Sequence, residues 1–460
     1  MIRKDMKKND FSTQFKWGAA TSSFQIEGNI DTDGKLESIW DRFAKTPGKI
    51  KDMEHAKVAC DHYNRWKEDF DLLENLGVNS YRFSISWPRI VQSDLKQTNQ
   101  KGIEYYDKIV DDLLSRNIDP FVTLNHWDIP QEFQDRGGWV NRESIKYFLD
   151  YVDIITNKLG DRVKNWVTHN EPWIIAYLGY NEGTHAPGHK SLDKTLAVNH
   201  HLLLSHGLSV PIIRENSKNS QVGIALNLNP AYPASSSQAD LEAAKLFDEY
   251  FNGWYLEPLY GKKYPKNIIK SWKDDGKLTK DLDFIQDNDF KIISEPTDFL
   301  GINYYSRAII RCSKTEQHNN LPVEIFPGEK TKFDWEVFPQ GLEELLVRIN
   351  KDYSPKSIFI TENGASYEDH NAQGMGDFND IKRIQYIESH LDACKNAINE
   401  GVPLKGYFCW SLMDNFEWAE GLNHRFGLVH VDFETQKRIP KNSYKWYREF
   451  LVNGDSILNT

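Results

Sequence analysis

Eight short apolar runs, alternating with amphipathic helical stretches, predict an α/β chain folded as a single (β/α)8 TIM barrel with elaborated loops at its C-terminal face. Two further observations support this class. Two of the runs, residues 166–172 and 358–364, are rich in β-branched or aromatic residues and stop at a breaker, Pro172 or Gly364. No Pro/Gly/Ser linker, low-complexity tract or shift in composition divides the chain. Length alone would suggest about three domains, yet one barrel can exceed roughly 400 residues. Residues 1–460 are therefore expected to form one catalytic domain.

The strands are expected at residues 15–20, 80–85, 120–124, 165–168, 222–227, 299–303, 358–361 and 406–410. Between them lie amphipathic segments such as residues 105–114, with apolar positions at helical spacing. In a parallel barrel the C-terminal strand ends converge on one pocket. What stands there carries the functional argument. Gln25 and Glu27 follow the first run, and Arg82 lies within the second. His126-Trp127-Asp128 close the third and Asn170-Glu171 the fourth. Asn303-Tyr304-Tyr305 close the sixth, Glu362-Asn363 the seventh, and the segment from Trp410 through Glu417-Trp418 follows the eighth.

A lone glutamate after a strand is ordinarily a solvated loop residue. Here two glutamates, each beside an asparagine, sit in tight polar contexts: Thr168-His169-Asn170-Glu171-Pro172 and Thr361-Glu362-Asn363-Gly364. Cleavage of a glycosidic bond needs two carboxyl groups facing each other across the sugar. Most of the 14 tryptophans should be core, Trp66 and Trp87 among them. Trp127, Trp410 and Trp418 differ, because hydrogen-bonding side chains flank each just past a strand. An indole beside a carboxylate or imidazole suits a sugar, which shows an apolar C–H face and a hydroxyl rim.

Charge and motifs exclude other classes. The net charge is −11, with 67 acidic and 56 basic residues and no strongly basic segment, which argues against a nucleic-acid partner. The charged first ten residues lack a signal-peptide apolar region, and no run reaches membrane-spanning length. A cytoplasmic location is expected. Cys60, Cys312, Cys394 and Cys409 form no close pair and are expected to be reduced, Cys409 as a core filler. His200, His201 and His206 sit in a leucine-rich helical stretch with no carboxylate at ligand spacing, so packing or surface roles are expected and no metal.

These residues resemble glycoside hydrolase family 1, the retaining β-glucosidases and β-galactosidases, over about residues 15–446. The motifs are the segment Phe15 to Gly28, Asn170-Glu171-Pro172, Thr361-Glu362-Asn363-Gly364, and Trp410 through Trp418. The resemblance implies Glu171 as acid/base and Glu362 as nucleophile. It implies that Gln25, His126, Asn170, Glu417 and Trp418 hold the non-reducing sugar, with Trp410 beneath. Tyr305 and Arg82 would contact the nucleophile, Asn303 would support the site, and Trp335 would stand at the aglycone entrance. The implied substrate is a small β-glucoside such as cellobiose or a short β-gluco-oligosaccharide, with no cofactor.

Two departures from the family pattern stand out. His169 replaces an apolar residue found in some members. Members acting on 6-phosphorylated sugars carry Ser, Lys and Tyr after the eighth strand, whereas this chain has Glu417-Trp418-Ala419-Glu420. A carboxylate would repel a phosphate, which disfavours the alternative of a 6-phospho-β-glucosidase. A sugar-binding barrel without catalysis would have lost a glutamate, and both are present. Arg82 and Tyr305 are expected to keep Glu362 charged, and burial beside Glu362 to raise the pKa of Glu171. Strands four and seven are expected on opposite sides of the barrel, bringing the two carboxyl groups close enough for a retaining reaction.

Overall fold

The computed structural model describes residues 7–312, 328–372 and 377–453. Its centre is a closed ring of parallel strands: β1 (Lys16–Ala20), β2 (Ser80–Ser84), β3 (Asp119–Asn125), β4 (Asn165–Asn170), β5 (Gln221–Asn227), β6 (Phe299–Asn303), β7 (Ile358–Asn363) and β8 (Leu404–Trp410). Each pairs with its sequence neighbours, and β1 closes the ring against β8, from Lys16 opposite Gly406 to Ala20 opposite Trp410. The eight expected strands are all present.

Two expectations need correction. The fourth and seventh strands run on past Thr168 and Thr361, to Asn170 and Asn363, because their neighbours continue the ladder opposite Ala225 and Cys409. Register shifts between Val167 and Asn170, between Ile302 and Asn303, and between Tyr407 and Cys409 mark these ends. Such irregularities re-aim side chains at a barrel rim. Nor do β4 and β7 face each other across the ring. Only β5 and β6 separate them on one side, and the strand opposite β4 is β8.

The barrel interior is filled by aromatic rings from β3, β6, β7 and β8. Phe121, Phe299, Phe359 and Phe408 pack together with Val167, and Phe121 lies 4.8 Å from Phe408, centroid to centroid. Gly18 makes room for that ring: a Cβ there would come within 2.3 Å of Phe408. Between sheet and outer helices lies a second, larger apolar layer, to which His62–Leu76 contributes Phe70, Leu73 and Leu76 and Gln100–Ser115 contributes Ile109, Val110 and Leu113. Trp87 and Trp66 both belong to this packing, Trp66 partly exposed.

The helix Leu192–Asn216 places all three of its histidines inside. His200 is held between the Tyr264 hydroxyl and Asp289, His201 meets the Trp139 carbonyl, and His206 meets Thr168. Packing, rather than a surface role, accounts for them. Cys60, Cys312, Cys394 and Cys409 are free, and Cys409 is buried. Among the described residues, no helix is long and apolar enough to cross a membrane.

Candidate active site

At the C-terminal ends of the strands opens a cavity of about 600 Å³. Both glutamates border it, Glu171 at 5 % exposure and Glu362 at 3 %. His126, Trp127, Asn303 and Tyr305 share the wall with Trp410, Glu417, Trp418 and Trp335. Arg82, Asn170 and Gln25 do not border the cavity. They form the layer beneath it.

Arg82 projects from β2 and is fully buried. Its Nη1 donates to Glu362 Oε1 at 2.6 Å and its Nη2 to Asn170 Oδ1 at 2.6 Å. One guanidinium therefore ties the end of β7 to the end of β4. Tyr305 donates its hydroxyl to Glu362 Oε2 at 2.6 Å, and burial keeps that phenol protonated. Asn303 lies beside Glu362 in register. Its Oδ1 accepts from Thr361, which turns its Nδ2 toward Glu171 Oε1 at 2.7 Å and Asn170 Oδ1 at 3.0 Å.

The Asn170 oxygen accepts both bonds, so its nitrogen must donate to His126 Nε2 at 3.1 Å. Burial, with Arg82 close by, holds the His126 pKa well below its usual value, and the ring is neutral with its proton on Nδ1. That Nδ1–H is buried and has no partner among the described residues. A buried unpaired donor at a cavity wall is a place for a ligand oxygen.

The backbone is bent at three of these side chains. Trp127, Glu171 and Trp418 have φ of 78°, 49° and 50°, a region that costs a non-glycine residue energy and clusters at functional sites. Glu171 donates its N–H to Ala225 O at 2.8 Å and its carbonyl accepts from the Ile174 N–H, so it is the pivot from β4 into the π-helix Ile174–Glu182. His169 points the other way. It bonds Asn125 and Ser205, stacks on Phe148 and is a neutral core residue.

Burial raises the pKa of both glutamates. For Glu171 the charge of Glu362 adds to burial and the shift is well above the usual range. For Glu362, Arg82, Tyr305 and Asn303 oppose the burial, leaving a smaller rise. The expectation that Glu362 stays ionised thus holds relative to Glu171: when one proton is shared, Glu171 keeps it. Glu417 is also pushed up, to about 8, by burial and then by Glu362 and Glu420. Raised that far, its charge is a weaker argument against a phosphate than the residue type alone suggests.

The indoles form a continuous surface. Trp127 and Trp418 lie 4.4 Å apart, Trp418 stacks on Phe24 at 5.6 Å, and Trp410 lies parallel to His126 at 5.9 Å. Gln25 spends its amide on Asn415 Oδ1 and the Phe416 carbonyl, both at 2.9 Å, and reaches Glu417 only at 3.5 Å.

The outer cavity was not legible in sequence. Trp173, Ile174 and Leu178 after β4 and Phe247, Tyr250 and Phe251 after β5 make an apolar wall, with Trp173 4.5 Å from Phe251. Asn227 and Asn229 supply polar groups at the end of the fifth strand, the one end at which no site residue was expected. Arg307 borders the same space, but Glu336 pairs with it at 2.7 and 3.0 Å.

Comparison with known proteins agrees with this geometry. The family model described as glycosyl hydrolase family 1 matches residues 7–455. Beta-glucosidase A of Acetivibrio thermocellus is 46% identical over 451 residues, covering 98% of this chain and all of the relative. The solved family 1 β-glucosidase of Thermotoga maritima superposes with a TM-score of 0.91 at 41% identity, covering 97% of this chain and 98% of that one. A structure of that protein in complex with deoxynojirimycin gives the same TM-score and identity, covering 97% and 99%.

Proposed function

The chain belongs to glycosyl hydrolase family 1, and from that membership and the geometry of its two glutamates we propose that it is a retaining β-glucosidase, acting on terminal non-reducing β-D-glucosyl residues. The carrying observation is the unequal support of the two carboxyl groups. Glu362 has a guanidinium on one oxygen and a phenol on the other, whereas Glu171 has one amide donor.

In the first step Glu362 attacks the anomeric carbon and the bond to the leaving oxygen breaks. Glu171 gives that oxygen its proton. Asn303 occupies Glu171 Oε1, so the proton is carried on Oε2. In the second step a water oxygen attacks the same carbon, Glu171 takes the water's proton, and the bond to Glu362 breaks. His126, Glu417 and Trp418, backed by Asn170 and Gln25, hold the sugar hydroxyls. Trp127 and Trp410 offer it apolar faces, and Trp335 stands on the aglycone side. Residues 1–460 work as one catalytic domain, in the cytoplasm. Cellobiose, short β-gluco-oligosaccharides and other small β-glucosides are the substrates, with galactosides and fucosides as further possibilities at the same subsite.

The alternative of a phosphorylated substrate finds little support. Arg307 is the one Lys or Arg among the described residues bordering the cavity, and it is engaged by Glu336. The test sets 4-nitrophenyl β-glucoside beside its 6-phosphate analogue. Rapid release of nitrophenol from the first alone is expected. Preference for the second, or release from neither, overturns the reading.

A further inference from the structure

Just outside the cavity, Asp369, Asp414 and His430 each bring one ligand-type atom within 4.8 Å of the others. Such a group suits a cation, and it holds one of the chain's own. The Lys441 ammonium lies 2.8 Å from Asp414 Oδ1 and 2.5 Å from Asp369 Oδ2. Lys441 and Asp414 are completely buried and the Asp369 side chain is 2 % exposed. Taking these charges out of water is costly, and removing one partner alone strands the other.

The arrangement reaches the sugar site through the backbone. Asp414 stands three residues before Glu417. It also accepts from the Gly427 N–H at 2.9 Å and from Arg425 at 2.8 Å, and its own N–H bonds the Val429 carbonyl. The next two residues, Asn415 and Phe416, are tied to Gln25. Among the described residues the Glu417 carboxyl meets only Gln25, at 3.5 Å, so its backbone sets where it sits, through the chain path from Asp414 and its N–H bond to the Gly421 carbonyl at 2.6 Å. On the other side, Arg383 joins Asp369 at 3.1 Å and donates to the Ala365 carbonyl at 3.3 Å. Ala365 is three residues past Glu362. Lys441 thus bridges the loops that follow β7 and β8.

We infer that Lys441 is a positioning residue for substrate: by clamping Asp414 it fixes residues 414–418, so that Glu417 and Trp418 meet the sugar. The inference rests on the reading of Glu417 and Trp418 as sugar-holding groups. Contacts to the sugar exist both before and during bond cleavage. Loosening them weakens binding and leaves the chemical step nearly unchanged.

Three variants test this on 4-nitrophenyl β-glucoside, well below each variant's Tm: Lys441→Met, the charge-balanced pair Lys441→Met/Asp414→Asn, and Glu417→Gln as reference. All three should raise KM about tenfold while kcat falls less than about threefold, and inhibition by glucose should weaken by the same factor as KM rises. If Lys441→Met does not fold, the balanced pair carries the test. A residue that only supports the fold lowers Tm and leaves KM at the wild-type value, and that result overturns the inference. An unchanged KM in Glu417→Gln removes the sugar-holding reading itself. A raised KM in Glu417→Gln with wild-type KM in the Lys441 variants removes only the role of Lys441.

Discussion

The Tyr305 hydroxyl donates to Glu362 on the oxygen that Arg82 leaves free, Oε2 against Oε1, each at 2.6 Å. Both bonds stabilise the charged form, and the phenol's share can be removed without touching the ion pair. Tyr305→Phe should lower kcat/KM roughly 10–100-fold, the range for losing a hydrogen bond to a charged group. Loss of the donor raises the Glu362 pKa, so the acid limb of the pH–rate profile should move to higher pH. A limb that stays put or moves down counts against Glu362 as the ionised group.

Glu362→Ala should reduce turnover by at least about 10⁴-fold while glucose still binds. Azide is small enough to occupy the vacated space, and should restore cleavage of an activated aryl glucoside with α-glucosyl azide as product. Intact sugar binding without rescue would contradict the nucleophile assignment.

Glu171→Gln should divide substrates by leaving group. General-acid help is worth roughly 10²–10⁴-fold, and a dinitrophenolate leaves without it. The variant should form the glycosyl-enzyme readily from dinitrophenyl glucoside and be nearly inactive on cellobiose. Equal losses on both would show that Glu171 does not protonate the leaving oxygen.

Stereochemistry is open to direct observation. Asn303 donates to Glu171 and stands opposite Glu362 in register, and a retaining pair holds its carboxyl groups closer than an inverting one, which must admit a water between. Anomeric proton NMR in the first minutes should show β-glucose before mutarotation. An initial α-anomer would rule out Glu362 as nucleophile.

Gly364 follows the end of β7 so closely against β8 that a Cβ would lie 1.7 Å from the Trp410 carbonyl oxygen. Backbone cannot yield as a side-chain tip does. Gly364→Ala should cost at least about 2 kcal/mol, seen as a lowered Tm with reduced activity. A wild-type Tm would show that the strand ends separate freely.

Much of this was legible because barrel strands announce themselves by short apolar runs with breakers, and because the chemistry stands at their ends. Glu171, Glu362 and Arg82 could be found that way. The left-handed backbone at Trp127, Glu171 and Trp418 could not, since nothing in those residue types asks for it. Gln25 was read as touching the sugar, yet its amide is committed to Asn415 and Phe416. The apolar wall is assembled from Trp173 and Phe251, far apart in sequence and each readable as ordinary core. The Lys441 clamp draws on residues from three loops, and only the closed ring brings them together.

That ring closure orders events on the ribosome. Arg82 waits 280 residues for Glu362, and Gln25 waits 390 for Asn415. Until β8 reaches β1, the nascent chain is an open sheet with two unpaired edges, the condition most exposed to misassociation. It also holds Glu171 without Glu362, and then both without Lys441. The described residues that border the cavity run from His126 to Phe426, so no nascent chain that stops before Phe426 holds the full set.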